Sequence, residues 1–282
     1  MEIATKTVLG YYAGFLAEEG YASVTAYTSY LSDVSADVFA VTASDTLDGS
    51  APANLLSFDK TNGIRTYACI SNFGENDFDS TLGHSAIVKN KALVIANMVA
   101  LVTNGSREGI KIDFENLFPA DRHAFSRFIH DLANALHEKG LKLAISVPGS
   151  VAGFEWMENC VQYAVSVIDP AKLLIGLPAY GYDWNLTDPN QNSDFAWKEV
   201  PDILTKTGAT PVWDGKTKSV TLAYTNSIGT KDGAHHVAWY EAPAGISAKT
   251  ALVTKYNLAG LSMWVLGDED LSFWQAAIAG LQ

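Results

Sequence analysis

Two carboxylates, Asp113 and Glu115, stand two residues apart in the short apolar stretch GIKIDFE at 109–115. Neighbouring residues on a strand point to opposite faces. Lys111, Asp113 and Glu115 therefore share one face, and Ile110, Ile112 and Phe114 share the other. Asp113 lies one pleat below Glu115, with roughly 6–7 Å between the two Cα atoms. An acid set beneath a second acid raises the pKa of the second, which keeps a general acid protonated near neutral pH. Alternating charges on an exposed edge strand give the same spelling, so the surrounding elements have to decide between the two.

A helical pattern precedes the stretch at 91–103 and another follows it at 121–137. A strand between two helices is the βαβ unit of a parallel sheet. Such strands are normally apolar on both faces, so three ionisable groups in a row are costly there unless paired or used. In a barrel that face is the interior. Glu115 then sits at the strand's C-terminal end, where barrels of this type carry their chemistry.

The same reading predicts seven strands, at 8–12, 37–42, 64–71, 109–115, 141–147, 173–177 and 258–266. Helices are expected at 55–62, 89–103, 119–140, 154–168, 248–256 and 271–281, and 27–31 is left unassigned. In the helix at 119–140, Phe125, Phe128, Ile129, Leu132 and Leu136 make the buried stripe, and Gly140 caps it. Pro148-Gly149 closes the fifth strand. The expected fold class is α/β, a TIM-type (β/α) barrel with seven recognisable strands and an α+β insertion between the last two. Residues 1–184 and 249–282 are assigned to the barrel and 185–248 to the inserted subdomain. The insertion holds short β runs, VTLAYT and HHVAWYE, and hairpin signals at Trp213-Asp214-Gly215 and Lys231-Asp232-Gly233. Its Trp197, Trp213 and Trp239 form either a small core or the wall of a sugar-binding groove.

The chain has 282 residues, 48% hydrophobic and 18% charged, which suits one domain or one domain with an insertion. A net charge of −12 argues against a nucleic-acid partner. No run of 18 apolar residues exists, so no membrane span is expected. No secretory leader is visible after Met1, and localisation is left open between secreted and spore- or cell-wall-associated. Cys69 and Cys160 read as two buried free thiols. Asn104-Gly-Ser106 and Asn185-Leu-Thr187 match the glycosylation sequon, a frequent chance match. His235 and His236 point apart on a strand without other ligands nearby, so no metal is assigned, and no cofactor is expected.

The stretch EGIKIDFEN resembles the catalytic strand of glycoside hydrolase family 18, whose pattern is D-G-x-D-x-D-x-E. It is most similar to the spore-germination and peptidoglycan-fragment N-acetylglucosaminidases of that family, which often read IDFEN. VLGYYAG, TYACISNFG, LKLAISVP, LLIGLPAYGYDW and GLSMWVLGDED resemble the family's first, third, fifth, seventh and eighth strands, in order, over nearly the whole chain. The resemblance implies hydrolysis of β-1,4-linked N-acetylglucosamine glycans, peptidoglycan or chitin-like, by substrate-assisted retention. It implies that Glu115 is the general acid/base and that Asp113 orients the acetamido group. It places Trp264 under the sugar, although core packing is the other reading of that residue. Tyr12, Asn72, Tyr180, Tyr182 and Asp183 are carried over as substrate contacts near the strand mouths.

The chain departs from the family in three places. Lys111 stands where chitinase-like members have Asp and this subgroup often Asn. Asp113 is its expected partner, and pairing would pull the pKa of Asp113 down. Glu108 replaces the motif's first Asp. The family's sixth strand, which ends in a sequence like M-T-Y-D, has no counterpart, because 149–172 holds room for one helix only. Re-closure with seven strands, or an open barrel that self-associates through its edges, follows. Two functions therefore stand against each other, an active glycosidase and a catalytically impaired, lectin-like glycan binder.

Overall fold

The structure, a computed structural model, describes residues 6–105, 107–147 and 153–282. The first half of the chain runs β1 (Thr7–Ala13), α1 (Ala17–Ala26), β2 (Asp33–Val41), β3 (Leu47–Asp48), α2 (Ala53–Asn62), β4 (Arg65–Ser71), α3 (Ser80–His84), α4 (Lys91–Asn104), β5 (Gly109–Asp113) and α5 (Arg122–His137). It continues with β6 (Lys142–Ile145), α6 (Phe154–Val167), β7 (Leu174–Pro178), β8 (Tyr180–Asn185), β9 (Ser193–Ala196) and α7 (Val200–Thr207). It ends with β10 (Val212–Asp214), β11 (Ser219–Thr225), β12 (His235–Tyr240), α8 (Pro243–Lys255), β13 (Gly260–Trp264) and α9 (Leu271–Ala279).

The chain divides into two compact units. One holds the described residues of 11–17 and 32–148. In it β2, β4, β5 and β6 run parallel in that order across the sheet. The other holds the described residues of 1–10, 18–31 and 149–282. There β13 lies between β1 and β7, again parallel. The seven parallel strands are those expected. The five-stranded antiparallel sheet, in order β10-β11-β12-β8-β9, is inserted between the last two. That sheet begins at Tyr180, so the expected boundary at 185 falls on the last residue of its first strand. The two strands follow one another with a single residue between, and composition carries no mark of the change of sheet.

Strand β5 is held by what lies on both sides of it. Ile110 and Ile112 are fully buried with Val94, Met98 and Val102 of α4 and Phe128, Leu132 and Leu136 of α5. Phe114 stacks on Phe128 at 6.0 Å and on Phe125 at 6.4 Å. Gly109 is demanded by the neighbouring strand, since a Cβ there would lie 2.0 Å from the Lys142 carbonyl oxygen.

Helices α1, α3 and α7 fall outside the expected set. α1 buries only Gly20, Ser23 and Val24, so it has no stripe of large apolar residues. α7 did carry legible signals, a proline in its first turn and Gly208 in the left-handed conformation after its last residue. Between 153 and 172 lie α6 and a short 3-10 turn, with no strand, as expected. Pro148-Gly149 and Ser106 of the first sequon lie outside the described residues. Cys69 is buried as expected, but Cys160 is exposed. The reason is its helix, in which only Val161 is buried. β6 has β5 as its one partner among the described residues, and β7 has β13 as its own.

Candidate active site

All five residues of β5 are buried, Lys111 and Asp113 included. Glu115 lies just past the strand end and is half-buried. Register with β4 sets Cys69 beside Lys111 and Ser71 beside Asp113. Register with β2 sets Asp37 beside Cys69.

Burial, the charge of Asp113 and the charge of Asp77 push the Glu115 carboxyl up from its ordinary value. A side-chain hydrogen bond to Asp113 pushes in the same direction. Asp113 is itself raised, because burial outweighs the opposing effects of Lys111, Ser146 and Glu115. The expectation that Lys111 pulls Asp113 down is corrected here. Lys111 does lower Asp113, but it makes no ion pair with it within 4 Å, and burial wins. Instead the Lys111 ammonium sits 3.7 Å from the ring centroid of Tyr11. Its own pKa is pushed down to about 7 by burial.

The backbone of Glu115 is fixed by Asn72. The Asn72 amide donates to the Glu115 carbonyl at 2.9 Å and accepts from the Glu115 N–H at 2.9 Å. Its Nδ2 also donates to the Asp79 carbonyl at 2.9 Å. Asn72 is 0% exposed. Its amide is thus engaged with the Glu115 backbone and the Asp79 carbonyl. Tyr12 is 2% exposed, with its hydroxyl donating to the Ala17 carbonyl at 3.1 Å. Tyr11 is the tyrosine that reaches β5, under the Lys111 ammonium and with its hydroxyl 3.2 Å from Ser146 Oγ. Ser146 in turn bonds to Asp113. Glu108, the third departure, pairs with Lys142 at 2.6 Å.

The remaining candidates belong to the other unit. Tyr180 and Tyr182 line an apolar cleft of about 510 Å³ together with Trp184, Trp239, Tyr240 and Glu241. Their rings meet edge to face at 5.6 Å, and Tyr182 lies 5.6 Å from Trp184. Asp183 alternates to the other face of β8. There it is buried, accepting from the Tyr224 hydroxyl at 2.5 Å with His236 Nδ1 3.0 Å away. Of the three tryptophans left open, Trp239 lines the cleft and Trp213 is exposed. Trp197 is buried, donating to Asp270 Oδ1 at 3.0 Å. Trp264 ends β13, half-buried, with its carbonyl accepting from the Ala179 N–H at 2.7 Å.

The sequence residues that resemblance singled out thus separate into those that touch the acid pair and those that do not. Asp37, Cys69, Tyr11 and Ser146 went unmarked. They become visible only when register is known, because each lies on a different strand or loop from β5.

Comparison with known proteins adds to this geometry. The sequence model described as Glycosyl hydrolases family 18 matches residues 149–270. An uncharacterized glycosylase of Bacillus subtilis, YvbX, is 31% identical over 98% of this chain and 92% of its own length. That alignment runs over 323 positions, more than the 282 residues of this chain, so the relative holds residues where this chain has none. The crystal structure of a chitinase from Chromobacterium violaceum superimposes with a TM-score of 0.90. It is 33% identical, with 98% of this chain and 99% of that one covered. The Bacillus megaterium spore cortex-lytic enzyme SleL shares the fold, with a TM-score of 0.86 at 20% identity over 98% of this chain and 74% of its own. With the strand order, the acid pair and a full-length relative in agreement, this chain belongs to glycosyl hydrolase family 18 and is a chitinase-like glycosidase.

Proposed function

We propose that the protein cleaves β-1,4-linked, N-acetylglucosamine-containing glycans, peptidoglycan or chitin-like, by substrate-assisted retaining catalysis. What supports this reading most is the placement of Glu115 two residues past the buried Asp113 at the end of β5, where burial and the Asp113 charge raise the Glu115 carboxyl above its ordinary value. The Glu115 carboxyl protonates the leaving glycosidic oxygen. The acetamido oxygen of the substrate attacks the anomeric carbon in place of a protein carboxylate, so no second side-chain nucleophile is needed. Asp113 accepts the acetamido N–H and stabilises the positive charge of the oxazolinium ion. Glu115, now a carboxylate, takes the proton of the water that opens this ion and returns to its starting state. Two inversions at one carbon give net retention. Trp264 offers an aromatic face to the apolar side of the pyranose.

The test uses a β-linked N-acetylglucosamine oligomer followed by proton NMR as it is cleaved. The first product anomer is β, and the matching glucose oligomer, which lacks the acetamido group, is not cleaved. A first α-anomer, or equal cleavage of the glucose oligomer, contradicts the mechanism. Glycan binding with no turnover would support the impaired, lectin-like reading. Lys111 in the motif and the missing M-T-Y-D-like sequence favour that reading.

A further inference from the structure

Asp37, Cys69 and Lys111 stand side by side on three adjacent parallel strands. In-register residues point to one face of a sheet, and Asp113, one pleat further along β5, points to the same face. The carboxylate oxygens of Asp37 and Asp113 and the sulfur of Cys69 all lie within 4.8 Å of one another. Cys69 is 0% and Asp113 7% exposed. The Oδ1 atom of Asp113 is closed off from solvent and has no hydrogen-bond partner. A buried carboxylate oxygen left without a donor is unfavourable. Among the described residues no Lys, Arg or His nitrogen lies within 4 Å of either aspartate. Lys111, which points to this face, has its ammonium over the Tyr11 ring.

We propose that Asp37, Cys69 and Asp113 form a binding site for a borderline divalent cation of the zinc type, and that its occupation blocks hydrolysis by drawing Asp113 away from Glu115. The donor set decides the class of ion. One sulfur and two carboxylate oxygens suit Zn²⁺ or Cd²⁺, whereas Mg²⁺ and Ca²⁺ take oxygen ligands. Zinc–sulfur and zinc–oxygen bonds of about 2.3 and 2.0–2.2 Å need donor atoms roughly 3.3–3.7 Å apart. Side-chain rotation within the present spacing supplies that closure. Binding displaces the thiol proton to solvent and forms a metal–thiolate bond. The charges then balance, with two carboxylates and one thiolate set against the divalent ion and the Lys111 ammonium. A water completes the tetrahedron. The binding half of the proposal stands alone, and the inhibition half rests on the hydrolase reading above.

The experiment starts from the Cys160→Ala protein, in which Cys69 is the only thiol. Titration with Cd²⁺ should give a saturable ultraviolet thiolate-to-metal charge-transfer band at one equivalent, and Zn²⁺ should displace it. Cys69→Ala should abolish the band. Asp37→Asn, which keeps the thiol, should weaken binding at least tenfold, and it serves if the Cys69 variant does not fold. No band, or a band unchanged by Asp37→Asn, overturns the site. For inhibition, Zn²⁺ should slow glycan cleavage, with the half-inhibiting concentration at least tenfold higher in Asp37→Asn. Equal sensitivity of the two proteins overturns the inhibitory role. A protein that binds Cd²⁺ through Cys69 but cleaves no glycan overturns the hydrolase reading, and the inhibitory role with it, while the site stands.

Discussion

Strands β5 and β6 are in-register neighbours of one sheet, yet they are packed in opposite ways. All five residues of β5 are buried, ionisable ones included. On β6, Lys142 and Ile145 are exposed and the two residues between them are half-buried. Two residues later Val147 is 83% exposed. The helices repeat the contrast. α5 buries Phe128, Leu132 and Leu136, whereas α6 buries Val161 alone and exposes Trp156, Tyr163 and Val167. Both strands have the alternation of a half-buried β segment, so pattern does not distinguish them. Partners do. Among the described residues, β5 has a strand on each side and β6 has one. An apolar residue is buried only if something arrives to cover it. The sixth strand that the family resemblance leads one to expect after β6 has no counterpart in the sequence.

That contrast fixes what substitutions should do. Ile112→Ala removes methylenes from the packed side of β5 and should cost about 2–5 kcal/mol. Val147→Ala should change stability by less than about 0.5 kcal/mol. Equal costs in urea denaturation would mean that the edge is covered in solution.

Lys111→Met tests the charge on the buried face. The folded pKa of Lys111, about 7, lies below its ordinary value. Between about pH 7 and 10.5 the unfolded chain therefore binds more protons, and stability rises with pH across that window. Below about pH 7 the buried charge is a standing cost. Lys111→Met should stabilise the protein at pH 6 by on the order of a few kcal/mol and remove the rise above pH 7. Destabilisation at pH 6 would show that Tyr11 and its neighbours fully compensate the ammonium.

Smaller effects belong to the second unit and to the edge. Trp264→Ala should leave the fold intact and weaken glycan binding by about 0.5–1.5 kcal/mol, read as a binding isotherm. An unchanged isotherm would return Trp264 to a packing role. The edge of β6, unpaired among the described residues, should give concentration-dependent association in light scattering, and Ile145→Lys should reduce it. A monomer at every concentration would show that the edge is harmless as it stands.

Much of this was legible in the sequence, for reasons that can be named. Period-two alternation located β5 and its charged face. Period-3.6 apolar residues located α4 and α5. Resemblance separated an acid pair from a run of surface charges. What escaped depends on contacts distant in sequence. Asn72 could be recognised as the clamp on Glu115 only across 43 residues of chain. Tyr11 and Tyr12 both stand in an apolar strand, and choosing between them requires the phase of β1 relative to β5. The direction of the Asp113 shift could not be read either. Burial and the Lys111 charge oppose each other there, and only the packed surroundings give the first enough weight.

The most direct test of the account is the turnover of a β-1,4-linked N-acetylglucosamine oligomer by the wild-type protein and by Glu115→Gln. The account predicts measurable cleavage by the wild type. In Glu115→Gln, kcat should fall by on the order of 10²–10⁴ with glycan binding retained. A variant that cleaves at the wild-type rate would remove Glu115 from the chemistry and contradict the acid pair as the catalytic centre.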